Sequence, residues 1–200
     1  TLRGIIFDLG GTLLNYHPPG AHPQTGWQAM EDAGSDGLHA FLAGQGFAIP
    51  PVDQARAINF AVAERHWRRV GQMEPVNPQL GPILREVMAA WGVPAAALSD
   101  GLVDQAMAAY VAPVQAFVAP LEGARETLVA VRQQGLRTGL ISNTVWPGRF
   151  HQQDLARWGL AEYLECTFFS ADVAAWKPAP AIFQMALRAL DLQPEEAAYV

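Results

Sequence analysis

The stretch that decides the fold of this chain is Gly4-Ile5-Ile6-Phe7-Asp8-Leu9-Gly10-Gly11-Thr12-Leu13-Leu14. Its short apolar run, 5–7, predicts a β-strand that is buried on both faces. The run ends at the carboxylate of Asp8, and the two glycines that follow allow backbone conformations closed to other residues. Ligands of open α/β sheets bind beside the carboxyl ends of the strands, so Asp8 is a candidate functional residue. On this stretch alone, a plain turn capped by Asp8 would explain the pattern equally well.

The composition is typical of a folded protein and limits the classes of partner. Of the 200 residues, 50% are hydrophobic and 16% are charged, which is enough for a sizeable core. The formal net charge of −6 argues against nonspecific binding to nucleic acid and to anionic membranes. Cys166 is the single cysteine, which excludes an internal disulfide and favours a reducing compartment. No apolar run approaches the roughly 20 residues that span a bilayer, so we expect a cytoplasmic protein.

The hydrophobic pattern changes character twice along the chain. Between about residues 27 and 118, apolar residues recur at helical spacing, and no strand is indicated. After this block, helical segments alternate with short apolar segments at 138–141, 166–169 and 197–200. Such alternation predicts a parallel sheet with right-handed crossovers. The sequence therefore predicts an α/β fold with a helical module set between two pieces of the sheet domain.

Two local patterns suggest functions that their context does not favour. His17 and His22 lie in a proline-rich loop at 15–25 without a cysteine or carboxylate partner, so a metal site is not expected there. The segment 65–69, Arg-His-Trp-Arg-Arg, is the densest positive cluster. In an acidic protein, a solvated helix face with Trp67 turned inward explains so short a cluster better than a nucleic-acid contact does. Steering of an anionic substrate is a third interpretation.

Three side chains of different chemistry follow or end three of the predicted strands. Asp8 follows the first strand, Ser142 ends the second, and Lys177 lies in the loop after the third. In a doubly wound sheet these loops converge on a single crevice. A carboxylate, a hydroxyl and an ammonium together suit attack on an electron-poor centre whose developing negative charge must be held. Considered alone, Ser142 could cap a helix and Lys177 could be an exposed loop residue. The occurrence of all three side chains at strand ends favours a functional site.

The same residues resemble the motifs of a known family. Segments 7–13 (Phe-Asp-Leu-Gly-Gly-Thr-Leu), 140–143 (Leu-Ile-Ser-Asn) and 177–183 (Lys-Pro-Ala-Pro-Ala-Ile-Phe) are similar to the first three motifs of the haloacid dehalogenase-like hydrolase superfamily. The chain resembles its helical-cap, phosphoglycolate phosphatase-like subclass over the whole length. The resemblance implies a Rossmann-like core of residues 1–16 and 118–200, built on a doubly wound parallel sheet, and an inserted α-helical cap of residues 17–117. One fold hosts many chemistries, so the motifs indicate fold more strongly than activity.

By position, the resemblance also implies a role for each motif residue. Asp8 would be the nucleophile that forms an aspartyl-phosphate intermediate, and it would bind Mg²⁺ together with the backbone carbonyl of Gly10. Lys177 would be the second catalytic residue and would neutralise charge on Asp8 and on the transferring group. Substrate contacts would come from Thr12, Ser142 and Asn143. The cap would exclude water and select the leaving group.

The chain departs from the family's pattern at two places. Phosphatases of the family usually have a second aspartate two residues after the nucleophile, where this chain has Gly10. Gly10 can offer its carbonyl to Mg²⁺, but it cannot exchange protons with a leaving group or water, a contribution of about 10²- to 10⁴-fold in rate. The acidic fourth motif would follow 197–200, where the sequence ends one step short. We therefore expect a longer parent protein.

Taken together, the sequence predicts a Mg²⁺-dependent phosphatase that acts on a small phosphorylated metabolite. A metal-independent dehalogenase-like enzyme is an alternative, in which Asp8 attacks carbon and a cap arginine holds the substrate's carboxylate. The candidates for that arginine are Arg65, Arg68 and Arg69. A catalytically silent relative that binds a phosphorylated ligand or a partner protein is another alternative, favoured by Gly10 and by the lack of a fourth motif. We expect no nucleic acid and no membrane as partner, and the sequence predicts no oligomeric state.

Overall fold

The strand predicted at 5–7 lies inside a four-stranded parallel sheet. The structure, a computed structural model, describes residues 1–17, 20, 23–71 and 77–200. The strands are β1 (Gly4–Phe7), β2 (Leu14–Asn15), β3 (Ala119–Pro120), β4 (Arg137–Ser142), β5 (Cys166–Phe169) and β6 (Ala197–Tyr199). The order in the larger sheet is β5-β4-β1-β6, and all neighbouring strands are parallel. The parallel α/β fold predicted from the alternation of elements is therefore confirmed.

Helices account for most of the remaining described chain. They are α1 (Pro23–Gly44), α2 (Val52–Gly71), α3 (Leu80–Ala90), α4 (Asp100–Gln115), α5 (Ala124–Gln133), α6 (Gly148–Arg157), α7 (Ser170–Val173) and α8 (Pro180–Ala189). The prediction of a loop throughout 15–25 is wrong at its end, because proline is well suited to the first turn of a helix and α1 begins at Pro23. His22 lies outside the described residues. None of the described helices combines the length and apolar character needed to cross a lipid bilayer.

Both faces of the parallel sheet are covered, as the apolar run 5–7 predicts. Phe7 packs in a buried cluster with Leu128 of α5, and Ile6 packs in a second cluster with Ile182 of α8. Successive residues of a strand point to opposite faces, so β1 contributes to both layers. Full burial of each such side chain contributes about 1.5 to 3 kcal/mol. The sheet is therefore doubly wound, with helices on both sides.

The chain separates into two units, each with its own core. One unit comprises Thr1–Tyr16 and Val118–Val200 and contains every described strand. The other comprises His17–Phe117 and contains α1 to α4. In this helical unit the Trp91 side chain is buried, and its indole N–H donates to the carbonyl of Ala55 at 3.1 Å. We call the two parts the α/β unit and the helical unit.

The α/β unit also contains a small antiparallel sheet that the hydrophobic pattern did not indicate. Leu14 of β2 pairs with Pro120 of β3, and Asn15 pairs with Ala119. Strands of two residues are too short to show an alternating pattern. This pairing joins the end of the loop after β1 to the start of the second part of the unit.

The basic cluster 65–69 lies on α2, and two of its charges are paired within the helical unit. Arg65 forms an ion pair with Glu86 of α3. Arg68 donates to Glu64 at 2.7 Å, one helical turn away. Paired, exposed charges of this kind are typical of a solvated helix face, which is the interpretation that the sequence favoured.

Candidate active site

Asp8 lies directly after β1, at the carboxyl end of the parallel sheet. Its Oδ1 accepts a hydrogen bond from the N–H of Leu9 at 2.7 Å and forms an ion pair with Lys177 Nζ at 2.8 Å. Within the described part of the chain, Oδ2 has no hydrogen-bond partner. One carboxylate oxygen is therefore held in place, and the other is available to a ligand.

The ammonium group of Lys177 connects the ends of three strands. In addition to the ion pair with Asp8, Nζ donates to the carbonyl of Ile141 at 3.2 Å and to the hydroxyl of Tyr199 at 2.6 Å. An ammonium has three N–H donors, so each of them has an acceptor. The side chain is only 11% exposed, which limits its movement and its screening by water. The structure thus brings the two predicted catalytic residues into contact.

Tyr199 is a member of this site that sequence reasoning missed. Its ring also lies under the ammonium, with Lys177 Nζ 5.2 Å from the ring centroid. The segment 197–200 was predicted as a strand, but which strand it pairs with in the sheet was not predicted. Tyr199 meets Lys177 only because β6 pairs with β1, and a single strand's pattern does not specify that pairing.

Asn143, predicted to bind substrate, lies against the backbone of Lys177. Its Nδ2 donates to the Lys177 carbonyl at 2.9 Å, and its Oδ1 accepts from the Lys177 N–H at 2.7 Å. Both ends of the amide are therefore used to hold the loop that carries the lysine. A direct contact between Asn143 and substrate stays a prediction.

Ser142 is the last residue of β4 and lies beside the strand that delivers Asp8. The residue is only 5% exposed, and within the described residues its hydroxyl has no hydrogen-bond partner. A hydroxyl can both donate and accept, so it can donate to the oxygen of an anionic ligand. The position suits the predicted contact with substrate.

The loop after β1 folds around the carbonyl of Leu9. This oxygen accepts hydrogen bonds from the N–H groups of Thr12 at 3.3 Å and Leu14 at 3.0 Å. Gly11 has a φ of 76°, in the left-handed region that side chains disfavour. Gly10 has no such requirement, since a Cβ built there would meet no atom within 4 Å. The fold therefore explains the glycine at position 11 but not the one at position 10.

Behind the second motif lies a buried histidine that sequence reasoning did not single out. His151 Nε2 lies 2.8 Å from Thr144 Oγ1, and Nδ1 lies 2.8 Å from the hydroxyl of Tyr16. Thr144 Oγ1 also accepts from the N–H of Trp146 at 3.0 Å. The imidazole is stacked near the rings of Trp146 and Phe169, with centroids 5.5 and 5.2 Å away. These contacts hold the backbone that follows the predicted phosphate-binding residues.

Burial determines the protonation of this histidine. It lowers the pKa of His151 from 6.5 to about 3, so the imidazole is neutral near neutral pH. A neutral imidazole offers one donor and one acceptor, which suits its two hydroxyl partners. Burial also raises the pKa of Tyr16 far above its ordinary value, so this phenol stays protonated. Neither role could be predicted from the sequence, because His151 lies in a helix with no recognisable motif around it.

The predicted Mg²⁺ ligands are the carboxylate of Asp8 and the backbone carbonyl of Gly10. Among the described residues, no group of three His, Cys, Asp or Glu side chains could hold a metal ion. Mg²⁺ is often bound by one or two carboxylates, with water and substrate phosphate completing its shell. Asp8 Oδ2 fits such a position, because no described protein group bonds to it. A site with a single carboxylate would bind Mg²⁺ weakly before substrate arrives.

Known proteins give independent information on this arrangement. A model of the haloacid dehalogenase-like hydrolase family matches residues 2–200. Glyceraldehyde 3-phosphate phosphatase of Methanopyrus kandleri is 30% identical over 99 residues, which are 50% of this chain and 42% of that protein. Phosphoserine phosphatase of Thermus thermophilus is 37% identical over 73 residues, 36% of this chain and 28% of that protein. The matches span less than half the length of both curated relatives.

A solved structure gives the same result for the fold. The 2-haloacid dehalogenase from Pseudomonas syringae pv. Tomato DC3000 matches with a TM-score of 0.66, covering 100% of this chain and 77% of that one. The two sequences are 20% identical, so this likeness shows the shared fold alone.

Proposed function

This chain belongs to the haloacid dehalogenase-like hydrolase family, and from that premise we propose that it hydrolyses phosphate esters of a small metabolite with the help of Mg²⁺. The observation that carries the proposal is the environment of Asp8. Its Oδ1 is held by a backbone N–H and by Lys177, while no described residue bonds to Oδ2. A carboxylate oriented in this way can present one oxygen to an electrophile. The curated relatives that are named phosphatases support phosphorus as that electrophile.

The proposed first step transfers the phosphoryl group to Asp8. A carboxylate oxygen of Asp8 attacks phosphorus, the bond between phosphorus and the leaving oxygen breaks, and that oxygen takes a proton from water. The positive charge of Lys177 and the hydroxyl of Ser142 stabilise the charge on the phosphoryl oxygens. In the second step, water attacks phosphorus and releases a proton to the solvent, which restores the one taken in the first step; the bond to Asp8 breaks, and inorganic phosphate leaves with the carboxylate regenerated.

Mg²⁺ would assist this reaction, and the lack of a side chain at Gly10 would restrict the substrates that react fast. Held by Asp8 and the Gly10 carbonyl, Mg²⁺ would offset the repulsion between the carboxylate and the phosphate. Gly10 has no side chain for proton transfer, and such transfer is worth about 10²- to 10⁴-fold in rate. We therefore expect a preference for esters whose leaving oxygen needs little protonation.

We further propose that the helical unit is the cap of this enzyme. It is a separate unit of the chain, with boundaries at His17 and Phe117, and the family resemblance assigns a cap to the same place. A cap would exclude water and select the substrate. Thr12 would act by shaping the loop, and Asn143 would act by orienting Lys177.

A phosphate-release screen tests the proposal. The purified protein is incubated with a panel of phosphate esters, with and without Mg²⁺, beside the variant Lys177→Met. We expect Mg²⁺-dependent release that falls about 10²- to 10³-fold in the variant, because Lys177 stabilises charge in the transition state. The backbone of the loop should persist in the variant, since Asn143 bonds to main-chain atoms of residue 177. Release that needs no Mg²⁺, or that is unchanged in Lys177→Met, would contradict the proposal.

Dehalogenation is the second candidate, and Gly10 is the observation that favours it. When Asp8 attacks carbon and a halide leaves, the leaving group needs no proton, so an acid at position 10 is dispensable. Two of the arginines predicted to hold the substrate's carboxylate, Arg65 and Arg68, are already paired with glutamates. Halide release from haloacids without metal would support this function. If neither phosphate nor halide is released, the result would support a protein that binds a phosphorylated ligand or a partner without catalysis.

A further inference from the structure

The helical unit contains a cavity of about 440 Å³ that the proposed chemistry does not use. The described residues that line it belong to α1 and α2 and are Trp27, Glu31, Phe60, Ala63, Glu64 and Trp67. The volume lies within the range of pockets that hold small molecules. We call it the aromatic cavity.

Two indole rings form one corner of the aromatic cavity. The centroids of Trp27 and Trp67 are 5.6 Å apart, and the ring planes meet at 77°. Phe60 adds a third aromatic ring and is 41% exposed, although large apolar side chains are usually buried. The face of an aromatic ring carries partial negative charge, so several rings around one space attract a cation.

Glu31 gives the cavity a buried negative group. The residue is only 8% exposed, and its Oε2 accepts from the Tyr110 hydroxyl at 2.7 Å and from Asn59 Nδ2 at 3.3 Å. Among the described residues, Oε1 has no donor. Burial raises the pKa of Glu31 above its ordinary value, because surroundings of low polarity disfavour its negative charge. A cation with an N–H donor would satisfy Oε1 and favour the ionised carboxylate.

Glu64 is a second carboxylate residue in the lining of the cavity. Its partner is Arg68, at 2.7 Å, and both side chains are exposed, at 45% and 67%. Arg68 offsets the charge of Glu64, so Glu31 is the carboxylate on which the recognition of a ligand depends. The described lining residues include no Lys or Arg that could neutralise Glu31.

We propose that the aromatic cavity binds the alkylammonium group of a small molecule, with an N–H of the ammonium donating to Glu31 Oε1. A neutral apolar ligand would leave Glu31 Oε1 without a donor, and an anion would be repelled by the ionised Glu31 carboxylate. An alkylammonium satisfies both features together: the aromatic walls and the carboxylate of Glu31. The inference concerns the helical unit alone and does not depend on the proposed phosphatase activity.

A matched pair of ligands tests the inference on the unaltered protein. n-Butylammonium chloride and 1-butanol have similar size and shape and differ in charge, and their dissociation constants can be measured by NMR titration at constant ionic strength. We expect butylammonium to bind at least about tenfold more tightly, the scale of a desolvated cation–π contact and a charged hydrogen bond. Equal binding of the two ligands, or no saturable binding of butylammonium, would overturn the inference.

Three variants locate the site. Glu31→Gln keeps the shape and removes the charge, and Trp67→Leu removes one aromatic wall. We expect each to weaken butylammonium binding about tenfold while 1-butanol is little affected. Glu126→Gln removes the same charge from α5 of the α/β unit and should leave binding unchanged. Far-UV circular dichroism confirms that each variant is folded, and a folded Glu31→Gln that binds as tightly as the original protein would overturn the assignment.

Discussion

The candidate active site of the α/β unit, around Asp8 and Lys177, and the aromatic cavity of the helical unit differ in how their charged groups are paired. In the α/β unit, Lys177 has an acceptor for each N–H, one of them the carboxylate of Asp8. In the helical unit, Glu31 is more deeply buried than Asp8, yet no described residue donates to its Oε1. The first site is arranged by its own residues before a substrate arrives. In the second, Glu31 Oε1 has no donor among the described residues, and the proposed ammonium ligand would supply one.

The difference shows why the catalytic residues could be predicted from sequence motifs and the lining of the ligand pocket could not. Catalytic groups at strand ends are held by backbone atoms and by one another, so their roles follow from the fold and a few motif residues. A ligand pocket between helices depends on which side chains happen to line it, and no motif marks them. Perturbing the site of the α/β unit should therefore leave ligand binding in the aromatic cavity intact.

The largest expected effect comes from adding the side chain that the α/β site lacks. Gly10→Asp should raise the rate of ester hydrolysis about 100-fold or more for substrates with poor leaving groups, because it supplies general acid–base catalysis. The position can accept it, since a Cβ at Gly10 meets no atom within 4 Å. The measurement is kcat on an alkyl phosphate and on an aryl phosphate with a good leaving group, where the gain should be smaller.

Gly10→Asn is the matched control, because it adds the same bulk without an acid. It should show little of the gain, and butylammonium binding should be the same in both variants. A gain of equal size with asparagine, or on both classes of ester, would mean that proton transfer is not what position 10 lacks.

A smaller effect is expected on stability, through the buried neutral histidine of the α/β unit. The pKa of His151 is about 3 in the folded chain and 6.5 when unperturbed. Its contribution is therefore complete above about pH 6.5 and is lost as the pH falls towards about 3, at about 1.4 kcal/mol per pH unit. Urea unfolding at about pH 7 and about pH 4.5 should show a decrease of about 2 to 3 kcal/mol from this residue.

The variant His151→Gln isolates this contribution. It should be less stable than the original protein near neutral pH, by about 1 to 3 kcal/mol, because Tyr16 and Thr144 lose well-placed partners. The difference should shrink as the pH falls, since glutamine does not titrate. A difference that is the same at both pH values would show that His151 is not held neutral.

Much of the α/β unit could be predicted from the sequence, for identifiable reasons. The run 5–7 is apolar because β1 is covered on both faces, so its pattern marks a buried strand. Asp8 and Lys177 could be paired in advance because the ends of parallel strands share one edge of the sheet. The contact of Lys177 with Tyr199 could not be predicted, because it depends on the order of strands.

Other features depend on contacts that no local pattern records. One partner of His151, Tyr16, follows β2 and is 135 residues away in sequence, and the other, Thr144, lies in the loop between β4 and the helix of His151. β2 itself was missed because two residues are too few to show a period. In the helical unit, spacing predicts the helices and their buried faces, but Trp67 and Glu31 come to line one cavity only after the helices pack.

The most direct test of the account is to trap the covalent intermediate on Asp8. The protein is mixed with a phosphate ester and Mg²⁺, quenched with acid during turnover, digested, and examined by mass spectrometry. We predict a phosphoryl group on the peptide that contains Asp8, present only with substrate and absent in Asp8→Asn. Turnover of the ester without that modified peptide, or a phosphoryl group carried by a different residue, would contradict the assignment of Asp8 as the nucleophile.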